Sequence, residues 1–312
     1  MHRTVRKFFP GTRLGALLAA AMLIAVSAPA PSNTSGVPSL KVYISADLEG
    51  VAGLSSNSQF AETGRDYAIA RRLMVAEVNA AIAGAYDAGA TMVVVNDAHG
   101  SQMNLIPDEL DQRASLITGA PKPLGMMQGI DRSFAAAVFI GYHARSATAS
   151  AVMDHSFSGN LKSIRINGRK VGEFGLNAAL AGYYGVPVVF ASGDAALARE
   201  AVQFSPGIAA LAVKEGIGTT AAANLHPAQA RERIRAGVAR AVRLRADIPP
   251  ARNEGRILLQ IELLRASQAD LAVRIPGVER EGAREVRYRA PDIVAAYAMV
   301  DLIMLLMSVD RL

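Results

Sequence analysis

Acids and imidazoles recur just past the apolar runs of this chain. Asp47 and Glu49 stand two residues apart in "SADLEG", directly after the run Leu40 to Ile44. His99 follows "TMVVV" in "VVVNDAHG", and His143 follows "AAAVFI" in "VFIGYHA". His155 lies in a loop, "VMDHSFSG", while His2 and His226 complete the five histidines, one near the N-terminus and one ahead of Pro227 at a helix start. Cysteine is absent, which excludes disulfides, thiolate metal sites and a cysteine nucleophile. A metal here must take His, Asp, Glu or water as ligands. Mixed carboxylates and imidazoles suit one or two Zn²⁺ or similar ions. Two such ions about 3.5–4 Å apart commonly serve hydrolysis.

Each residue also has a structural reading. A loop histidine is often only hydrogen-bonded at the surface. An Asp past a strand can cap the next helix, and Asn96-Asp97 can be turn chemistry. Convergence of four residues on strand ends is what separates them from that background. Period two along a strand puts Asp47 and Glu49 on one face and Leu48 on the other. Gly50 closes that strand as a turn residue.

Convergence needs parallel strands, because ligands of open α/β sheets bind beyond the carboxyl ends of the strands. The pattern predicts a strand over Leu40 to Leu48, a helix from about Tyr67 to Ala88 capped by Asp66, and a strand over Thr91 to Val95. The second strand is apolar throughout, as a strand covered on both faces should be. Further strands are expected at Arg113 to Thr118, Ala135 to Ile140, Val186 to Ala191 and Ile208 to Lys214. Asn167-Gly168 between β-like flanks predicts a type I′ hairpin. Helices are expected at Gly172 to Tyr184 and Ala195 to Gln203, with Ser192-Gly193-Asp194 capping the latter.

Beyond residue 220 an Arg-rich helix, Pro227 to Ala246, reads as a solvated face. Strands at Arg256 to Leu263 and Val286 to Arg289 precede a C-terminal helix, apolar from Ile293 to Met307 apart from Asp301. That helix reads as core rather than as a membrane span. The expected fold is α/β, a three-layer open sheet, mainly parallel, with a smaller α+β C-terminal part. The metal-site domain covers residues 40–215, and the C-terminal part, 216–312, packs on it.

The N-terminus is a separate matter. Arg3, Arg6, Lys7 and Arg13 precede the apolar stretch Leu14 to Val26, and "SAPA" follows. Residues 1–30 read as a secretory signal peptide, with an uncleaved anchor as the alternative, and 31–39 as a Pro/Ser linker. Without those four charges the formal net charge falls from +6 to +2, weak support for nucleic-acid binding. The chain lacks H-E-x-x-H, G-x-S-x-G and P-loop motifs.

Five ordered blocks, "YISADLEGVAGL", "VNDAHGSQMNL", "FIGYHA", "VMDHSFSG" and "VGEFGLNAALAGYYGVPVVFASGD", resemble the zinc-dependent D-aminopeptidases of the DppA type. The resemblance is dense to about Lys214 and looser beyond. It implies a binuclear zinc site in which Asp47 bridges both ions, Glu49 and His143 complete one set, and His99 and Glu173 complete the other. Glu173 enters only through the resemblance; on spacing alone it is an acid favoured at a helix N-terminus. His155 matches the family's catalytic residue, as nucleophile or as general acid–base. The family also implies a homo-oligomer, such as a ring-like decamer. One departure is Thr219, where the family pattern is expected to carry Arg.

The expected function is therefore an exported binuclear zinc aminopeptidase acting on small peptides, plausibly with an N-terminal D-residue, periplasmic or secreted. A metal-dependent amidase acting on cell-wall peptide fragments is the nearest alternative. A non-catalytic periplasmic peptide- or metal-binding protein is the third.

Overall fold

In chain order the elements are β1 (Lys41–Ala46), a short helix α1 (Asn57–Phe60), the long helix α2 (Tyr67–Asp87), β2 (Met92–Asp97), β3 (Ala114–Ile117) and β4 (Ala136–Tyr142). A hairpin of β5 (Leu161–Ile166) and β6 (Arg169–Val171) leads into α3 (Glu173–Tyr183), β7 (Val188–Asp194) and α4 (Ala195–Phe204). Next come β8 (Ala209–Gly218), β9 (Ala221–Asn224) and α5 (Pro227–Arg243). The chain closes with β10 (Ile257–Leu263), α6 (Ala266–Ala272), β11 (Val278–Arg280), β12 (Glu285–Ala290) and α7 (Ile293–Ser308). This computed structural model describes residues 39–252 and 255–308. The stretch read as a signal peptide, and the linker up to residue 38, lie outside the described residues. Pro38–Leu312 forms one compact unit.

The first sheet has the order β3-β2-β1-β4-β7-β8-β9 and is parallel from β3 to β8, with only β9 antiparallel. The alternation of apolar side chains decides what lies on each face. Val42, Ile44, Val138 and Ile140 point into one core with Met74, Val78 and Ile82 of α2 and Ile234 and Val238 of α5. Tyr43, Ala137 and Phe139 point the other way, into a core shared with α3 and α7. Burying a side chain such as Phe139 contributes roughly 1.5–3 kcal/mol. Both faces are covered, which is why these strands read as unbroken apolar runs.

A second sheet, β11-β12-β10-β5-β6, is antiparallel. It joins strands from both sides of residue 215, and β8 runs across that position. The β5–β6 turn has Asn167 at φ 50° and Gly168 at φ 80°, as a type I′ turn requires. The helix α5 turns Arg residues outward while Ala230, Ile234, Val238 and Val242 are buried against α2. Four short elements, α1, β9, α6 and β11, fall outside the apolar periodicity of the sequence, since three to seven residues give it too little length to show. Asp66 stands at the N-cap of α2 but makes no cap bond; its carboxylate accepts from Ser58 Oγ at 3.0 Å. Asp194 caps α4, accepting from Leu197 N at 2.7 Å.

The strand order reverses at β1, which lies between β2 and β4. In register, Ala46 faces Asp97 on one side and Ile140 on the other. The carboxyl ends of these three strands are therefore level, and the residues just after them share one crevice, the usual ligand position of such sheets.

Candidate metal centre

Asp47 follows β1 by one residue, His143 follows β4 by one, and His99 follows β2 by two. The ends of β1 and β4 approach unusually closely. Asp47 N donates to Ile140 O at 2.8 Å and Gly50 N to Gly141 O at 2.7 Å. A Cβ on Gly50 would collide with the Tyr142 carbonyl, and one on Gly141 with the Asp47 carbonyl. Gly50 is thus more than a turn residue, because it lets the two strand ends that carry Asp47 and His143 meet.

Three imidazoles meet three carboxylates in this crevice. His99 Nδ1 lies 2.9 Å from Glu49 Oε2 and 3.3 Å from Asp47 Oδ1. His143 Nε2 lies 3.2 Å from Glu173 Oε2, off the line a hydrogen bond requires, and 3.7 Å from Asp47 Oδ2. His155 Nε2 lies 3.6 Å from Glu173 Oε1 and 3.9 Å from Glu49 Oε1. The rings of His143 and His155 stack, centroids 4.1 Å apart. Asp47, Glu49, His143 and Glu173 are buried, whereas His99 and His155 are partly exposed. A cavity of about 140 Å³ opens onto Asp47, Glu49, His99, His155 and Glu173.

Each ring has one nitrogen tied to a backbone carbonyl. His99 Nε2 lies 3.0 Å from Phe60 O, His143 Nδ1 2.9 Å from Ala144 O, and His155 Nδ1 2.8 Å from Met153 O. A carbonyl only accepts, so the nitrogen facing it carries the proton. The other nitrogen then faces the carboxylates, where its lone pair would be offered to a metal ion. That is how metal-binding histidines are oriented. His143 Nε2 and Asp47 Oδ2 are buried without a hydrogen-bond partner, an arrangement that costs free energy unless something else satisfies both. The donor set fits divalent metal ions of the zinc type.

Electrostatics point the same way. Burial, the Glu49 charge and the Glu173 charge push the Asp47 carboxyl up to about 8, against the pull of His99 and His143. Burial opposes ionisation of Glu49, but His99, His155 and His143 outweigh it and hold its carboxyl well below the ordinary range. Burial likewise opposes charge on His99 and His143, and the surrounding carboxylates overcome it and raise both. So much mutually dependent charge in one buried crevice marks a functional site.

The triads that could hold an ion are Asp47–Glu49–His99, Asp47–His143–Glu173 and Glu49–His143–His155, among the described residues. Asp47, Glu49 and His143 each belong to two of them. The resemblance divides the ligands differently, placing Glu49 with His143 and His99 with Glu173. Direct contacts run instead from His99 to Glu49 and from His143 to Glu173, while Glu49 and His143 still meet in the third triad.

A search against protein families matches residues 40–302 to the M55 peptidases, described as D-aminopeptidase. The chain belongs to the D-aminopeptidase family. It is a hydrolase acting on peptide bonds, of the metal-dependent aminopeptidase class. It is 39% identical over 260 residues to the D-aminopeptidase of Bacillus subtilis (strain 168), covering 83% of this chain and 94% of that protein. Its fold is similar to that of the solved zinc-dependent D-aminopeptidase DppA from Bacillus subtilis, described as a self-compartmentalizing protease. The TM-score is 0.86 at 36% identity, covering 88% of this chain and all of the other.

In this member of the family several positioning residues escape a reading by spacing. Lys214 is buried in β8 and its Nζ donates to the carbonyls of Glu49, Val51 (2.9 Å) and Leu54 (2.6 Å). Glu77 of α2 accepts from Ala52 N at 2.9 Å. Together they clamp the loop that carries Glu49. The Asp97 carboxylate accepts from Asn104 N and Leu105 N, both at 2.6 Å, and shapes the loop of His99. The one available signal was a lysine inside an apolar strand.

The His155 loop is strained. Ala147, Ser150, Met153 and Phe157 have φ of 62°, 54°, 52° and 61°, a region that costs non-glycine residues free energy. Asp194 Oδ2 holds the loop by accepting from Val152 N, and Thr219 O by accepting from Met153 N, both at 2.8 Å. Thr219, where the family pattern was expected to have Arg, makes this contact through its carbonyl, and its side chain is exposed.

Proposed function

We propose that this chain is a zinc aminopeptidase that removes N-terminal D-residues from small peptides and holds two zinc ions, with Asp47 shared between them. The observation that supports it best is the orientation of His99, His143 and His155, each fixed by a backbone carbonyl with its free nitrogen turned to Asp47, Glu49 and Glu173. Bound zinc supplies Lewis acidity and lowers the pKa of water toward neutrality. Asp47, Glu49, His99, His143 and Glu173 hold the ions.

His155 is the residue left to handle protons. Its Nδ1 is committed to Met153 O, and its Nε2 reaches the cavity between Glu49 and Glu173. It takes the proton of the attacking water at Nε2 and returns it to the leaving amine. Phe157 N donates to Glu173 Oε1 at 2.6 Å and keeps that carboxylate in place. The strained loop aims His155 and is anchored through Asp194.

Self-assembly into a closed oligomer is part of the proposal, supported by the description of DppA as self-compartmentalizing. Export is also part of it, supported by the basic and apolar character of residues 1–30. The test is a panel of D- and L-aminoacyl peptides on zinc-loaded protein, with zinc counted by atomic absorption. Two zinc ions per chain and cleavage of D-aminoacyl peptides are expected, and a chain that binds peptide but no zinc overturns the proposal. Light scattering reads the oligomer, and cell fractionation the location. Mass spectrometry of quenched reactions should find no adduct on His155.

A further inference from the structure

Helix α7 is apolar from Ile293 to Met307 except at Asp301. Tyr297, Asp301 and Met304 follow one another at spacings of four and three residues, so they share a helix face. Tyr297 fastens that face to the catalytic end of the sheet. Its hydroxyl accepts from Met126 N at 3.2 Å, and its ring meets Phe157 edge-on with centroids 6.2 Å apart. One turn further on, Asp301 and Met304 line the cavity that also opens onto Asp47, Glu49, His155 and Glu173. The Asp301 carboxylate lies beside Gly125, where a Cβ would come within 3.6 Å of Oδ2.

No hydrogen-bond donor or cation partners Asp301 among the described residues. A half-buried carboxylate without a partner costs free energy that a leucine in this apolar helix would not. Its partner must come from the cavity. The other acids of the cavity, Asp47, Glu49 and Glu173, are all engaged by imidazoles, so Asp301 is the acid there that remains unengaged. Gln102, which also lines the cavity, offers a second acceptor, since its Oε1 is buried without a partner.

We propose that Asp301 anchors the α-ammonium group of the substrate and so makes the enzyme an aminopeptidase. This rests on the reading of function given above. In a peptide the α-ammonium is separated from the scissile carbonyl by one carbon. An ammonium held against α7 therefore leaves the carbonyl facing the metal ligands across the cavity. About 140 Å³ admits the amino end of one residue with a small side chain. An N-acylated peptide lacks the charge and brings bulk to the same wall, so it is excluded.

The test compares zinc-loaded wild type with Asp301→Asn and Asp301→Glu, using an aminoacyl peptide and its hydroxyacyl analogue, in which a hydroxyl replaces the ammonium. Asp301→Asn should raise KM for the aminoacyl peptide about 10- to 100-fold, the scale of one lost charge-assisted hydrogen bond. It should leave kcat and zinc content nearly unchanged and abolish the preference for amine over hydroxyl. Asp301→Glu should be intermediate. Calorimetric binding of alaninamide against lactamide reads the same preference without turnover, and on Asp301→Glu it serves if the Asn variant does not fold. An unchanged KM, a retained amine preference, or loss of zinc from Asp301→Asn overturns the proposal. If wild type cleaves no aminoacyl substrate, the functional reading fails, and the calorimetric comparison still decides the role of Asp301.

Discussion

His155 lies flat against His143, with ring centroids 4.1 Å apart and planes 10° from parallel. The inner ring is buried and the outer ring faces the cavity. In the proposed function these two histidines have different duties, one binding metal and one moving protons. His155→Ala should lower kcat by about a thousandfold, within the range of lost acid–base catalysis, and keep both zinc ions. His143→Ala should lose zinc. Atomic absorption and steady-state kinetics on the two variants check this, and loss of zinc from both would put His155 among the ligands instead.

Chelation should destabilise the fold as well as stop turnover. With metal removed, three buried carboxylates crowd the crevice, and burial with the charges of Glu49 and Glu173 holds Asp47 up near 8. A ligand at 100 times its Kd stabilises by about 2.7 kcal/mol. Differential scanning calorimetry with and without chelator should show Tm falling by several degrees, and added zinc should restore both Tm and hydrolysis.

Lys214 holds three carbonyls of the loop that carries Glu49. Lys214→Met keeps the apolar stem but leaves the buried carbonyls of Glu49 and Leu54 unpaired, while Val51 O keeps its bond from Leu54 N. Each unpaired acceptor costs about 1–3 kcal/mol, so urea denaturation should show a loss of at least about 2 kcal/mol. Zinc affinity should fall too, because Glu49 loses its anchored backbone. Unchanged zinc affinity would show that the loop holds its shape without the lysine.

Glu77 makes stability depend on pH. Burial pushes its carboxyl up to about 7, against the pull of Ala52 N, Lys214 and Arg231. In the unfolded chain it titrates near 4.5, so between those values the folded state binds more protons. Its contribution to stability is therefore lost as pH rises from 4.5 to about 7. At about 1.4 kcal/mol per pH unit the loss is about 3 kcal/mol. Glu77→Gln should lack this fall, so the stability gap between the variant and wild type should shift by that amount between pH 4.5 and 7.5 in urea titrations.

Much of the architecture was legible because it is written locally. Unbroken apolar runs gave the central strands to within a few residues, and Asn167-Gly168 marked its hairpin. The short elements α1, α6, β9 and β11 were not legible, since three to seven residues cannot display a period. The pairing of β5 with β10 was invisible too: its partners are about 95 residues apart, and nothing in the chain between them records the contact.

At the site the division is similar. Residue types at strand ends determined that acids and imidazoles would meet; the period of two does not reach Asp47 and Glu49, because β1 ends at Ala46 and both lie in the turn that follows it. Glu173 became visible only through the resemblance, because its acid at a helix start has a local explanation. Tertiary structure alone decided which ring nitrogen faces the carboxylates, since Phe60, Ala144 and Met153 supply the carbonyls that fix each ring. It also decided that Lys214 holds the Glu49 loop and that Asp301 opens onto the same cavity. Local patterns specify which face a side chain takes. Which groups then meet, and which of them lack a partner, depends on packing among segments 50 to 170 residues apart.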